Sequence, residues 1–251
     1  MGRLAGEVAL VTGSTSGIGR VIAERFAAEG AYVMVTGRNE ERGHEVVRGC
    51  HGRGHFTRGD LTDAGAPAAL VAATVTQFDK LTILVNNAVG GAADGPVADL
   101  TNEQLEAILA VDLVAAAALC REAMPQLRAS GHGAIVNISS RAASRAPRGL
   151  AGYVAAKGGL EALTRSIAVD EAPHRVRCNA ISPGYVLNDR RDNAITPEEL
   201  ARRESHHLLG VGEPDDVAYA AVYLASHESK WLTGCVLPLD GGSSAARGSF
   251  A

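Results

Sequence analysis

Short apolar runs that stop at glycine, asparagine or serine alternate along this chain with longer stretches of helical period. Seven runs read as strands: Glu7–Thr12 (E-V-A-L-V-T), Ala31–Thr36 (A-Y-V-M-V-T), His55–Arg58, Leu81–Val85 (L-T-I-L-V), Gly133–Ser140 (G-A-I-V-N-I-S-S), Arg175–Ile181 and Cys235–Leu239. Between them lie the helical stretches. One runs through Glu29 and one is opened by Asn39, whose side chain can cap the N-E-E-R that follows. A long one spans Thr101 to about Met124, another carries Tyr153 and Lys157 to about Asp170, and a last one covers Pro214–Ala225. No linker or repeat breaks the alternation, which predicts one doubly wound α/β domain over residues 1–251 with helices on both faces of a mostly parallel, seven-stranded sheet. The polar segment from Asn188 to about Gly212 reads as a mobile lid, where substrate contacts are expected. From Ile108 to Cys120 the long helix is apolar almost all round and must be buried. Asp112 lies inside that run, so its carboxylate needs a partner.

Composition narrows the function classes. A formal charge of -4 gives no electrostatic reason to expect nucleic acid as a partner. Cys50, Cys120, Cys178 and Cys235 lie far apart without a C-x-x-C pair, which suits reduced thiols in a cytoplasmic protein. Met1–Gly6 has no apolar signal core, and no run approaches the ~18 apolar residues of a membrane span. No metal site is expected: His206 and His207 are adjacent and point apart on a helix, while Cys50, His51 and His55 read as a chance grouping.

Candidate chemistry sits where strands end. Thr12–Gly19 (T-G-S-T-S-G-I-G) is a glycine-rich turn between strand and helix, where backbone N–H groups can approach a pyrophosphate. Its G-x-x-x-G-x-G spacing differs from the G-x-G-x-x-G dinucleotide fingerprint. Arg38, after the second strand, would attract a 2′-phosphate where an acid would exclude one, which favours NADP, with NAD still possible. Asp60 either faces an adenine or caps the next helix. Tyr153 and Lys157 are four residues apart and so share a helix face. A lysine beside a phenol favours the phenolate and makes a proton donor or acceptor usable near neutrality.

In order and spacing, T-G-S-T-S-G-I-G, Asp60-Leu61, Asn86-Asn87-Ala88, N-I-S-S ending at Ser140, Y-V-A-A-K and Ser182-Pro183-Gly184 resemble the classical short-chain dehydrogenase/reductases from about Val8 to Gly242. The resemblance implies a Rossmann-type fold and hydride transfer between NADP, or NAD, and a carbonyl or secondary alcohol, a 3-oxoacyl thioester among the options. It implies catalytic roles for Ser140, Tyr153 and Lys157, with Ser140 rather than Ser139 because it lies 13 residues before Tyr153. It implies cofactor contacts at Gly13, Thr15, Ser16, Gly17, Ile18, Gly19, Arg38, Asp60, Leu61, Asn87, Ala88, Tyr153, Lys157, Pro183, Gly184 and the backbone of Val186. Pairing of the helices from Ile108 and from Tyr153 into a homotetramer or homodimer is implied as well.

Three positions depart from the family's pattern. Asp112 stands where the family usually has a catalytic asparagine, Val89 where N-N-A-G has glycine, and Asn188 where a threonine is common. An ionised Asp112 near Lys157 would offset the lysine's effect on the Tyr153 phenol, and so shift an acid/base optimum. A nucleotide-sensing protein without chemistry is the rival from another class, and the intact Ser140, Tyr153 and Lys157 argue against it. In the lid, Arg190, Arg191, Arg202 and Arg203 could meet an acidic acyl carrier.

Overall fold

The structure is a computed structural model and describes residues 2–188 and 195–245. Seven strands form one sheet: β1 (Val8–Val11), β2 (Tyr32–Gly37), β3 (Gly54–Arg58), β4 (Ile83–Asn86), β5 (Ala134–Ile138), β6 (Arg177–Pro183) and β7 (Val236–Leu239). Every pairing is parallel and the order is β3-β2-β1-β4-β5-β6-β7. Eight helices accompany them among the described residues: α1 (Gly17–Ala28), α2 (Glu40–Gly49), α3 (Ala66–Phe78), α4 (Asn102–Leu109), α5 (Ala115–Ser130), α6 (Ala151–Glu171), α7 (Pro197–Glu204) and α8 (Pro214–Ala225).

The apolar runs explain the layering. Successive strand side chains point to opposite faces. Ala9 and Val11, Val33 and Val35, and Ile83 and Val85 therefore pack with Ile22, Phe26, Val217 and Val222 on one face. Leu10, Met34 and Leu84 pack with Leu70, Leu119 and Leu127 on the other. Burial on both faces is why these strands read as unbroken apolar runs. Cys50 and Cys120 lie within this core, where burial pushes both thiols up to about 12. No described helix is long and apolar enough to cross a membrane.

The long helix expected from Thr101 to Met124 is interrupted. Thr101 and Gln104 form a reciprocal cap at 3.2 and 3.0 Å that starts α4, but Ala110–Val114 is a π turn and α5 continues to Ser130. One residue is gained at that bulge, and Asp112 occupies it; π bulges of this kind frequently mark functional sites. Pro125 does not end α5, whose last turn closes at Gly131 in the left-handed region. The sixth strand begins at Arg177 rather than Arg175, because Arg175 is left-handed (φ 58°) and turns the chain. Asn39 caps α2 as expected, its Oδ1 accepting from the Arg42 N–H at 2.9 Å.

Between β1 and β4 the winding of the sheet reverses, so the loops after these two strands diverge and leave a crevice at the carboxyl edge. The carboxyl ends of β1 to β6, with the loops that follow them and the first turn of α1, carry every candidate residue except Asp112, Tyr153 and Lys157.

Candidate active site

The glycine-rich loop is shaped by contacts that admit no side chain. Gly13 and Gly17 are left-handed (φ 62° and 53°), and a Cβ on Gly13 would lie 2.8 Å from the Ala88 Cα. A Cβ on Gly19 would lie 2.5 Å from the Gly13 carbonyl oxygen and 2.3 Å from Asn87 Nδ2. The loop is stapled to the end of β4: Asn87 Nδ2 donates to the Thr12 and Gly13 carbonyls at 2.9 and 3.2 Å. Thr12 Oγ1 in turn accepts the backbone N–H groups of Asn87 and Ala88 at 3.0 and 3.1 Å. Asn87 and Ala88 thus brace the loop from within the protein. α1 has no side-chain cap bond at Ser16 and no acid in its first turn. A helix start of that kind, with glycines allowing close approach, fits the pyrophosphate of a dinucleotide. Leu187, Asn188, Ile195 and Leu200 face Gly17, Arg20 and Val21 across a cavity of about 550 Å³.

Arg38 projects at the end of β2. There Gly37 packs so closely on Thr15 that a Cβ would come within 2.7 Å of the threonine methyl. Asp60 does not cap the following helix, which starts six residues later at Ala66 behind Gly65. Instead its Oδ1 accepts from the N–H and hydroxyl of Thr62 at 3.1 and 2.9 Å. Those bonds, helped by the nearby Arg38 and Arg58, hold its carboxyl below the usual range. Leu61 packs, half-buried, against the core beneath.

At the end of β5 the two serines separate. Ser139 is buried and donates to Glu161 Oε1 on α6 at 2.8 Å. Ser140 instead accepts the Ala142 N–H at 3.1 Å and starts the 3₁₀ turn Arg141–Ala143. That contact uses an oxygen lone pair, so the Ser140 O–H hydrogen can be donated elsewhere.

Tyr153 and Lys157 stand on the first turns of α6. Lys157 is only 2% exposed; its Nζ donates to the Ile138 carbonyl at 3.0 Å and lies 5.6 Å from the centre of the Tyr153 ring. Burial pushes the lysine pKa down and the Asp112 carboxylate pulls it back up. Asp112, 4% exposed, has its carboxyl pushed up by burial; Lys157 and the Gly90 N–H, which donates to Oδ1 at 2.6 Å, oppose that rise. The buried carboxylate has thus found the partners its position demanded. Val89 stays more than half exposed without left-handed backbone, and Gly90 delivers the N–H to Asp112.

Asp94 was not foreseen from sequence. Its carboxylate accepts the N–H groups of Gly95 (2.8 Å), Gly152 (3.0 Å) and Tyr153 (2.8 Å). Burial raises its pKa, but the three N–H groups outweigh that and hold it low. Leu150, at the N-cap of α6, offers no side-chain bond, so Asp94 caps this helix from the loop after β4. The only signal in the sequence is an acid shortly after N-N-A, indistinguishable there from a surface charge.

The lid is anchored at its base. Gly212 N–H donates to the Tyr185 carbonyl and Leu187 N–H to the Gly212 carbonyl, both at 2.9 Å, with Val186 bridged to Gly212. His207, buried, accepts the Tyr185 N–H on Nε2 at 3.1 Å and contacts the Arg203 carbonyl through Nδ1 at 2.8 Å. Both ring nitrogens are therefore used, and His206 Nδ1 meets the Arg202 carbonyl at 2.7 Å. No metal-binding cluster occurs among the described residues. Gly184, after Pro183, approaches Asp240 and His207 so closely that a Cβ would sit 2.9 Å from each. Arg202 and Arg203 pair with Glu199 at 3.4 and 3.0 Å; Arg203 also stacks on Tyr185 at 4.5 Å, while Arg202 stays exposed to solvent. Arg190 and Arg191 lie outside the described residues.

The comparisons with known proteins agree with this geometry. Residues 13–244 match the family described as enoyl-(acyl carrier protein) reductase. The chain is 38% identical over 244 residues to 2,5-dichloro-2,5-cyclohexadiene-1,4-diol dehydrogenase LinX of Sphingobium indicum, covering 96% of this chain and 97% of that protein. It is 36% identical over 249 residues to the NADP-dependent (R)-specific alcohol dehydrogenase of Lentilactobacillus kefiri, covering 97% and 98%. A crystal structure of a Sinorhizobium meliloti 1021 chain assigned to the short-chain alcohol dehydrogenases superposes with a TM-score of 0.90 at 31% identity, over 97% and 98% of the two chains. A sensor without chemistry finds no support among these relatives. The chain belongs to the short-chain dehydrogenase/reductase family and is an NAD(P)-dependent oxidoreductase acting on CH–OH and C=O groups.

Proposed function

We propose that Ser140, Tyr153 and Lys157 carry the proton side of this reaction, with NADP preferred over NAD. The observation that bears the reading is the buried Lys157 ammonium, one turn from Tyr153 and 5.6 Å from its ring. When a ketone is reduced its oxygen gains negative charge; Ser140 donates a hydrogen bond to that oxygen and Tyr153 delivers the proton that makes it a hydroxyl. In oxidation the phenolate takes the proton back. Lys157 stabilises that phenolate, and the Ile138 carbonyl with Asp112 keeps the ammonium protonated against the cost of burial. Asp112 works through Lys157 and sets how much of its charge Tyr153 feels. The nicotinamide supplies the hydride when bound. The loop from Gly13 to Gly19 through Thr15, Ser16, Gly17 and Ile18, with Asn87, Ala88, Pro183, Gly184 and Val186, would hold the cofactor, and Asp60 and Leu61 would flank its adenine.

Arg38 supports NADP because a cation rather than an acid follows Gly37 at the end of β2, and a relative at 36% identity is named NADP-dependent. Comparing kcat/KM for NADPH and NADH tests it; preference for NADH overturns the cofactor assignment. Exposed Val114 and Val169 on the π turn and α6 support assembly through this helical face into a homodimer or homotetramer, read out as mass in solution. The buried, high-pKa thiols suit the reducing cytoplasm. The decisive test of the reaction is Tyr153→Phe on a panel of ketones, oxoacyl thioesters included: turnover should fall to near background while the cofactor still binds. Retained turnover overturns the acid/base assignment.

A further inference from the structure

One face of α6 is tied to the end of β5 by a row of polar contacts. Tyr153, Lys157, Glu161 and Thr164 are spaced four, four and three residues apart and so share that face. Thr164 Oγ1 accepts from Asn137 Nδ2 at 2.8 Å, and Glu161 Oε1 accepts from the Ser139 hydroxyl at 2.8 Å. Between them, Lys157 Nζ donates to the Ile138 carbonyl at 3.0 Å. Asn137, Ser139, Lys157 and Thr164 are at most 3% exposed, and Glu161 is half-buried. Three consecutive residues at the strand end are thus joined to three on the helix. The next residue of the chain is Ser140, and the next on the helix face is Tyr153.

These ties act where support from the sheet stops. β5 pairs with β6 as far as Ile138, with one further bond from the Ser139 N–H to the Ile181 carbonyl at 2.7 Å. Ser140 then starts the 3₁₀ turn Arg141–Ala143, which packs against α6. The three ties are not equivalent. Asn137 also serves the core, its Oδ1 accepting from Asn86 on β4 at 2.8 Å. Lys157 must keep its ammonium near Tyr153. The Glu161 bond has neither duty, and it holds the residue directly before Ser140. A hydroxyl that donates to a carboxylate makes a charge-assisted bond, and without it the buried Ser139 hydroxyl would lose this partner.

We propose that Glu161 is a positioning residue for the reaction: through Ser139 it fixes Ser140 relative to Tyr153, so that both reach one substrate oxygen. The proposal rests on the reading of Ser140 and Tyr153 as the groups that meet that oxygen. The test compares kcat, per site that binds NADPH or NADH (whichever the parent uses better), on the ketone the parent reduces best. Glu161→Ala should lower kcat about tenfold, the effect of a displacement of part of an ångström, with KM for the nucleotide changed by less than about twofold. Glu161→Gln keeps an oxygen that accepts the Ser139 hydrogen and should recover most of the rate. Ser139→Ala breaks the same bond from the other end; it should match Glu161→Ala and gives a second reading should that variant fold poorly. Combining the two alanines should slow the enzyme no further than either alone.

A tie that is only structural would lower Tm and the fraction of binding sites while leaving kcat per site unchanged, and that result overturns the proposal. Glu161→Gln as slow as Glu161→Ala would assign the effect to the carboxylate's charge one turn from Lys157, and also overturns it. So do losses that multiply in the double variant. Tyr153→Phe separates this role from the reading beneath it: retained turnover there defeats the proton-transfer assignment. An inactive Tyr153→Phe beside an unaltered Glu161→Ala defeats only the role of Glu161. A parent that reduces no ketone of the panel defeats both.

Discussion

The two sides of the crevice are built differently. The side formed by β1, β2 and the start of β4 is held by backbone: glycines that admit no Cβ, and an asparagine stapling one loop to the next. The side formed by β5, α6 and the lid is held by buried or half-buried charge: Lys157 with Asp112, Asp94 on three N–H groups, and Arg141 on Ser243. Backbone contacts give a fixed cradle suited to a constant ligand. Charges give a tunable surface, because one substitution alters a field without moving the chain. Altering the second side should change rate more than stability, and altering the first should change both.

The sharpest test is Tyr153→Phe. Losing one hydroxyl leaves packing nearly unchanged, so Tm should stay within a few degrees while kcat falls by about 10²–10⁴, the range for a positioned proton donor. Differential scanning calorimetry beside steady-state kinetics reads both; a large fall in Tm would break the contrast. Gly19→Ala is the counterpart on the other side. Its methyl would meet Asn87 Nδ2 and the Gly13 carbonyl, a clash of the kind that costs about 1–3 kcal/mol. Both Tm and cofactor affinity should drop, by calorimetry and by fluorescence titration of NADPH.

Asp94 joins the two behaviours. Asp94→Ala should cost about 1 kcal/mol as a lost helix cap and also lower kcat about tenfold, because the first turn of α6 carries Tyr153. Asp94→Asn keeps one acceptor oxygen and should recover much of the stability and part of the rate. A loss confined to KM, with kcat intact, would argue against a role in placing Tyr153.

What could be read in the sequence follows the same division. The glycine turn, the strand ends and the Tyr153–Lys157 spacing were legible because local backbone geometry dictates residue type at short range. Ser140 was separable from Ser139 only through the family's 13-residue spacing to Tyr153; in the fold Ser139 is engaged by Glu161. Asp94, the anchoring of His207 by Tyr185, and the pairing of Arg202 and Arg203 with Glu199 were not legible, since each joins segments whose approach only the fold decides. The π turn was hidden for a different reason: a single extra residue in an apolar helix leaves its hydrophobic pattern almost unchanged, and only the conspicuous Asp112 marked the place.

The smallest expected effect is also the most diagnostic of charge. Asp112 has a raised pKa, so its contribution to stability is full below the ordinary carboxylate value of 3.8 and is lost as pH rises through its folded value. Asp112→Asn removes that loss, while leaving Lys157 without the carboxylate that raised its pKa; the two consequences oppose, and Tm at neutral pH should move little. The reaction should respond more clearly. Without the anion, the field at Tyr153 is more positive while Lys157 keeps its proton, and the phenol ionises more readily. For alcohol oxidation, which needs the phenolate, the acid limb of kcat/KM against pH should shift to lower pH by a fraction of a unit, on the order of 1 kcal/mol or less. The Gly90 N–H can still find the amide oxygen of an asparagine, so the loop need not move. A profile superimposable on that of the parent protein would mean that Lys157 shields the phenol from Asp112 entirely, and the charged side of the crevice would then be no more tunable than the backbone side.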